Sequence, residues 1–74
     1  GMRGASFTRA DLRGAKLGPL TIGDGRFVRT DFTRAVLRGA DLRGAHAHRA
    51  RFLEADMNGA NLAGCDLTDA ELEV

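Results

Sequence analysis

A five-residue repeat runs through this 74-residue chain from Ala5 to Val74 without a break. When the groups of five start at residues 5, 10, 15 and so on, the middle residue of every group, here called its centre, is apolar. The fourteen centres are Phe7, Leu12, Leu17, Ile22, Phe27, Phe32, Leu37, Leu42, Ala47, Phe52, Met57, Leu62, Leu67 and Leu72. A pattern this regular predicts one structural unit repeated along the whole domain.

The period of five fits neither of the regular secondary structures. On an α-helix each residue advances by about 100°, so a step of five residues advances by one full turn plus about 140°. The centres would therefore be spread around the helix and would form no stripe. In a straight β-strand a step of five residues reverses the face, so alternate centres would enter water. The repeat therefore predicts short extended pieces that are joined by corners.

The other positions of the repeat fit a thin coil of this kind. Alanine is the first residue in ten of the fourteen groups, two residues before the centre and therefore on the same side of an extended chain. Asp or Asn often lies between these two inward residues, and glycine often closes the group, where a tight turn needs backbone freedom. Stacked turns of such a coil would lie about 4.8 Å apart and bury one central column of side chains.

Several groups resemble the A(D/N)LXX motif of the pentapeptide-repeat family. Residues 10–14 and 40–44 read Ala-Asp-Leu-Arg-Gly, and residues 60–64 read Ala-Asn-Leu-Ala-Gly. The resemblance implies an all-β fold, a right-handed quadrilateral β-helix (β-solenoid) with four groups per coil and about three and a half coils from fourteen groups. We expect residues 1–4 to be a lead-in, in which Gly1 looks like a residue left by tag cleavage, and residues 5–74 to form one domain.

Four groups per coil would stack residues that are twenty apart. The predicted neighbours are Phe7 and Phe27, Phe32 and Phe52, and Leu17, Leu37 and Met57. Ala47 would lie between Phe27 and Leu67, where its small side chain would leave a void or draw in a phenylalanine. Residues 18–25, Gly-Pro-Leu-Thr-Ile-Gly-Asp-Gly, depart from the motif and predict a widened or bulged corner, as local irregularity rather than a binding loop.

The net charge of +1 conceals a strong asymmetry along the chain. Residues 1–51 carry +7, whereas residues 52–74 carry −6. The single cysteine, Cys65, excludes an internal disulfide and, at an alanine position, predicts a buried structural thiol. No apolar run approaches the roughly 18 residues that a membrane span needs, and we expect a cytoplasmic protein.

Stacking at twenty residues would also align Arg9, Arg29 and Arg49 on one wall of the coil. Arg26, His46 and His48 would lie on the same wall. Such a wall could bind an anionic polymer, but we expect a solvated face in which Arg29 pairs with Asp31. His46 and His48, with Asp66 stacked beneath, are potential metal ligands, yet the surrounding arginines oppose a cation, so we expect no metal.

The sequence favours a non-enzyme without cofactor or small-molecule substrate. It contains no phosphate-binding loop, nucleophile elbow or enclosed pair of carboxylates, and a tube filled by its own side chains leaves no substrate cleft. Three functions stay open: a scaffold for protein–protein interaction, which we favour; a DNA mimic that engages a type II topoisomerase such as gyrase; and binding of an anionic polymer along the arginine wall. The resemblance implies the second, but known mimics are acidic throughout. We expect no membrane binding and no nucleic-acid binding.

Neither end of the repeat carries an obvious cap, so we expect association through an end. The resemblance implies a symmetric end-to-end dimer through the C-terminal coil, which would bury Leu62, Leu67 and Leu72. Residues 55–74 carry five acidic groups and no basic one, so a symmetric contact would oppose like charges. A head-to-tail contact would match opposite charges but would generate an open chain of copies. We favour the symmetric dimer.

Overall fold

The computed structural model of the chain describes residues 3–72 as short extended segments joined by single parallel bridges, with one small hairpin. Five bridges link residues that are twenty apart: Asp31 with Arg51, Val36 with Asp56, Asp41 with Asn61, His46 with Asp66, and Arg51 with Glu71. Twenty residues make four groups of five, so successive turns stack as a β-solenoid of 38 × 22 × 18 Å. Within the described residues, no helix has the length and apolar character needed to cross a membrane.

Groups within the coil end in a tight turn, and two positions of the repeat build it. Ala40 N donates a hydrogen bond to the O atom of the preceding centre, Leu37, at 3.1 Å. Gly39, between them, has a φ of +65°, which confirms that glycine serves the corner. The outward carboxylate closes the next turn, where Asp41 Oδ1 accepts a hydrogen bond from Arg43 N at 3.1 Å. This bond explains why Asp or Asn precedes so many centres, since both side chains offer the acceptor oxygen.

The core is a single column inside the coil. Its buried residues are Leu17, Phe32, Ala35, Leu37, Ala40, Leu42, Ala45, Ala47, Ala50 and Phe52. All of them occupy first or centre positions of their groups, as the repeat predicts. The rings of Phe32 and Phe52 stack with centroids 5.1 Å apart and planes 4° apart, which confirms that predicted pair. Such a pair contributes about 0.5–1.5 kcal/mol beyond the burial of its area.

The first turn of the coil is ten residues longer than the others. Its bridges, Ser6 with Val36, Asp11 with Asp41 and Lys16 with His46, each span thirty residues. The extra residues form an antiparallel hairpin of β1 (Leu20–Thr21) and β2 (Phe27–Val28), in which Leu20 lies opposite Val28 and Thr21 opposite Phe27. The loop Gly23-Asp24-Gly25 has positive φ at all three residues, a conformation that glycine adopts without steric cost.

The hairpin changes the predicted position of Phe27. This residue lies in β2 and is not stacked under Phe7. The ring of Phe7 instead meets Phe32 edge-on, with centroids 5.7 Å apart and planes at 73°. The predicted Phe7–Phe27 pair is therefore wrong, because the register of the first turn is shifted by ten residues.

The same shift changes the neighbours of Ala47. The bridges of His46 place Ala47 between Leu17 and Leu67, and Ala47 is fully buried there. The prediction that Leu17 stacks over Leu37 is wrong for the same reason. Residues 20–28 leave the coil, so the count of three and a half coils is not confirmed, and the expected widened corner is a hairpin.

Candidate interaction surface

The predicted arginine wall is only partly assembled. Arg29 Nε donates a hydrogen bond to Arg49 O at 2.6 Å, so these two residues meet. Arg9 lies elsewhere, with its side chain against Gly39, because the first turn advances thirty residues rather than twenty. Arg26 lies in the hairpin, directly before β2. The prediction of one column of three arginines is thus wrong for Arg9.

Arg29 fastens the hairpin to the coil below it. Its guanidinium donates to Asp69 O at 3.1 Å and to Glu71 Oε1 at 3.2 Å, in addition to its bond with the neighbouring turn. The expected partner, Asp31, accepts hydrogen bonds from Thr33 instead, including one from Thr33 N at 2.9 Å. Charge-assisted hydrogen bonds of this kind are stronger than neutral ones. Arg29 therefore has a structural role and is not free to receive a ligand.

The opposite charges of the two halves of the chain meet on the surface of the coil. Arg34 Nε lies 3.0 Å from Glu54 Oε2, and Arg51 Nε lies 2.9 Å from Glu71 Oε2. Each pair joins residues that are twenty apart, on adjacent turns. Exposed ion pairs contribute about 0.2–1 kcal/mol each, so these pairs chiefly neutralise charge that would otherwise be available to a partner.

Among residues 3–72, four basic side chains lie outside such pairs. Within residues 3–72, Arg9, Lys16, Arg26 and Arg49 form no salt bridge. The Arg49 guanidinium lies over the ring of Phe27, 5.4 Å from its centroid, in a cation–π contact. Arg26 and Arg49 thus place positive charge on the hairpin and beneath it.

A groove of about 580 Å³ lies beside β1. It is lined by Lys16, Gly18, Pro19, Leu20, Thr30, His46 and His48. Thr30 Oγ1 donates to Gly18 O at 3.4 Å, which closes the neck of the hairpin. The groove combines an ammonium and two imidazoles with apolar surface, a combination suited to a carboxylate with an apolar neighbour. We call β1, β2 and this groove the hairpin corner.

A comparison with protein families finds the same division of the chain. The pentapeptide repeats family matches with eight copies, at residues 2–18 and 30–69. This chain belongs to the pentapeptide-repeat family. Its members are generally structural or binding proteins rather than enzymes. No curated protein matches the chain.

The gap in the family match coincides with the hairpin of this pentapeptide-repeat protein. Residues 19–29 are unmatched, and they contain both β1 and β2. The repeat resumes at Thr30, just before the first bridge with twenty-residue spacing. The hairpin corner is therefore the part of this molecule that the repeat itself does not account for.

Within residues 3–72 of this pentapeptide-repeat protein, the two histidines do not gather a set of metal ligands around them. Within the described chain, no three His, Cys, Asp or Glu side chains converge as a metal site. The carboxylate of Asp66 accepts hydrogen bonds from Thr68 N at 3.0 Å and Thr68 Oγ1 at 2.7 Å. These bonds, with smaller contributions from the charges of His48 and His46, hold the pKa of Asp66 below its usual value. Asp66 is thus engaged in closing its own turn.

Cys65 lies half-buried against the core, at the inward alanine position. Burial, and to a smaller extent the charge of Asp66, raises the pKa of its thiol. A thiol with a raised pKa is a poor nucleophile, because the thiolate is the reactive form. The position agrees with a structural role for Cys65.

The C-terminal coil carries the three leucines predicted to mediate self-association. Leu62 and Leu67 are half-buried and pack against the core, whereas Leu72 is 51% exposed. Backbone amides at this edge, those of Met57, Leu62 and Leu67, donate to no backbone carbonyl within residues 3–72. Within residues 3–72, the edge therefore offers both apolar surface and backbone N–H groups without a backbone acceptor.

Proposed function

We propose that this pentapeptide-repeat protein is a non-catalytic scaffold for protein–protein interaction. The observation that carries the proposal is the hairpin, whose Leu20, Ile22, Phe27 and Val28 side chains are 45–68% exposed. Contiguous exposed apolar side chains are typical of interaction surfaces in proteins. The stacked coil supplies the rigid support, since its bridges and its buried column leave the backbone little freedom.

The detailed geometry of the coil is part of the same proposal. A right-handed, four-sided coil is what the family resemblance implies, and the twenty-residue spacing of the bridges supports four groups per turn. A crystal structure of the chain would test both handedness and the number of sides. A coil with three or five groups per turn would contradict this part of the proposal.

The two alternative functions have less support. A DNA mimic needs a continuous acidic surface, but Glu54 and Glu71 each pair with an arginine of the neighbouring turn. A binder of anionic polymers needs a continuous row of free cations, but Arg9 is separated from Arg49 and Arg29 is engaged by backbone carbonyls. We therefore retain the protein-interaction scaffold as the single proposal.

The test is capture of partners by the full chain, with DNA as the competing ligand. Chemical cross-linking in cells that produce the protein, followed by purification and mass spectrometry, should recover a protein partner that survives nuclease treatment. A parallel titration with duplex DNA at several salt concentrations should show only weak binding. Strong DNA binding that falls steeply with salt, with no cross-linked protein, would contradict the scaffold and favour the anionic-polymer function.

We also propose a symmetric dimer through the C-terminal coil, in which Leu62, Leu67 and Leu72 are buried. Acidic groups would face each other in this contact, so added salt should strengthen it by screening their repulsion. Sedimentation velocity at about 50 and 500 mM NaCl would measure this, with Leu72→Glu as the variant expected to abolish the dimer. Association that salt weakens would instead indicate a head-to-tail contact between opposite charges.

A further inference from the structure

One face of the hairpin lies toward the coil, where Phe27 is partly covered and 45% exposed, and the other face lies away from it. Leu20 and Val28 lie opposite each other, and Ile22, two residues after Leu20, shares their side of the chain. These three side chains are 68%, 54% and 51% exposed. Phe27 lies on the other side, where its ring stacks against the Arg49 guanidinium. The hairpin thus uses one face for attachment and leaves a second, purely aliphatic face uncovered.

The uncovered face is held at a fixed place on the coil. Arg29, directly after β2, hydrogen-bonds to Arg49 O and Asp69 O, which belong to the next two turns. Thr30 closes the neck through its hydrogen bond to Gly18 O. A two-stranded hairpin is marginally stable alone, so these contacts are what present the face in one orientation.

A cationic side chain lies at each end of this aliphatic face, and the loop also carries the carboxylate of Asp24. Leu20 also lines the groove that contains Lys16 and His46, so the apolar face continues into a cationic groove at the neck. Arg26 lies at the loop end, where its O atom accepts a hydrogen bond from Ile22 N. Neither Lys16 nor Arg26 forms a salt bridge within residues 3–72.

We propose that the hairpin corner binds a short extended segment of a partner protein, with aliphatic side chains in its middle and carboxylates at both ends. The aliphatic side chains would cover Leu20, Ile22 and Val28, and the carboxylates would reach Lys16 and Arg26. Residues two apart on a strand are about 6.8 Å apart, so alternate side chains of an extended segment match the spacing of Leu20 and Ile22. This inference rests on the proposed scaffold function and assigns its binding site.

The test uses a defined peptide as the probe. In this acidic peptide, three valines alternate with threonines and a pair of glutamates lies at each end. A fluorescein label on the peptide reports binding through fluorescence anisotropy. The matched peptide carries lysines in place of the glutamates. The unmodified chain should bind the acidic peptide, and the basic peptide should bind at least about tenfold more weakly, because like charges would meet at both ends.

Substitutions then locate the site. Ile22→Ser should weaken binding of the acidic peptide about tenfold, since it removes a side chain that the peptide would bury. Ala63→Ser, the control, changes an exposed position of the coil that belongs to neither proposed interface, and it should change binding less than twofold. The double variant Lys16→Gln, Arg26→Gln should weaken binding several-fold at low salt and abolish its salt dependence. Circular dichroism and melting temperature verify that each variant folds.

The outcomes separate this inference from the broader proposal. Equal binding of both peptides would overturn the charge assignment, and equal losses for Ile22→Ser and Ala63→Ser would overturn the site. If the acidic peptide fails to bind while cross-linked partners are retained by Ile22→Ser, the scaffold function stands and the hairpin site falls. If neither peptide nor protein partner binds, both are contradicted.

Discussion

Replacement of Gly18 by alanine should destabilise the protein because of one side chain, that of His48. A Cβ at Gly18 would lie 2.3 Å from His48 Cε1 and 2.8 Å from His48 Nε2. Carbon atoms in contact are ordinarily about 3.5–4.0 Å apart, so the His48 ring would have to move by more than 1 Å. A shift of this size requires a change in the side-chain torsion angles of His48. The backbone of Gly18 does not have a positive φ, and alanine is therefore not excluded by conformation.

The expected loss follows from these two facts. Overpacking and a strained rotamer cost about 1–3 kcal/mol. Replacing glycine by alanine at a compatible φ stabilises the folded state by about 0.4–1 kcal/mol, because it lowers the conformational entropy of the unfolded chain. The free energy of unfolding should thus fall by up to about 2.6 kcal/mol, and each kcal/mol corresponds to roughly 4–8 °C in Tm for a domain of this size. Urea and thermal denaturation followed by circular dichroism would measure both quantities.

The decisive measurement is the same substitution without the ring. In a His48→Ala background, Gly18→Ala should stabilise the protein by about 0.4–1 kcal/mol, a reversal of sign. Gly44→Ala is the matched control: its φ is +68° and no other side chain lies nearby, so it should cost about 1 kcal/mol in both backgrounds. A loss from Gly18→Ala that is the same with and without His48 would show that the ring of His48 is not its cause.

Three further predictions concern the core, the hairpin and the acid dependence. Phe52→Ala should lower the free energy of unfolding by about 3–5 kcal/mol in urea denaturation, because it removes a buried, stacked ring. Arg29→Ala should accelerate amide hydrogen exchange in the hairpin and leave the middle of the coil protected; unchanged exchange there would contradict its fastening role. The pKa of Asp41 is lowered in the folded state, first of all by its hydrogen bond with the Arg43 side chain. The Asp41 carboxylate therefore stabilises the folded state at pH values above its unfolded pKa of about 4. This stabilisation is lost as the pH falls through the folded pKa. Tm should therefore be steady from about pH 7 to 5 and decline below about pH 4, and Asp41→Asn, which copies the turn-closing amide of Asn61, should reduce that decline.

The hairpin was not predicted from the sequence because it does not interrupt the five-residue pattern. Its ten extra residues equal two groups of five, so Ile22 and Phe27 still fall at centre positions although neither enters the coil. The five-residue repeat continues through the hairpin, but the twenty-residue spacing between stacked residues does not. Each wrongly predicted stacking contact follows from this change of spacing. The sequence did contain a signal: Gly23-Asp24-Gly25, flanked by Ile22 and Arg26 and followed by Phe27-Val28, is typical of a hairpin turn.

Features that depend only on position within a group could be predicted. The inward alanines, the glycine corners and the stacked pair of Phe32 and Phe52 needed no knowledge of the first turn, since both rings lie after the hairpin. The ion pair of Arg34 and Glu54 could have been found in the same way, because these residues are twenty apart. The partners of Arg29 could not, because they depend on how far its side chain reaches down the coil.

The neck between Gly18 and Thr30 makes this corner a natural place for grafting. The two residues are joined by a hydrogen bond, and beyond Thr30 the bridges return at once to their usual spacing. The register of the downstream turns therefore does not depend on the length of the excursion, although Phe27 within it contacts Arg49 of the next turn. A foreign loop of comparable span, such as an epitope for display, could replace residues 20–28 while the frame that carries it keeps its shape.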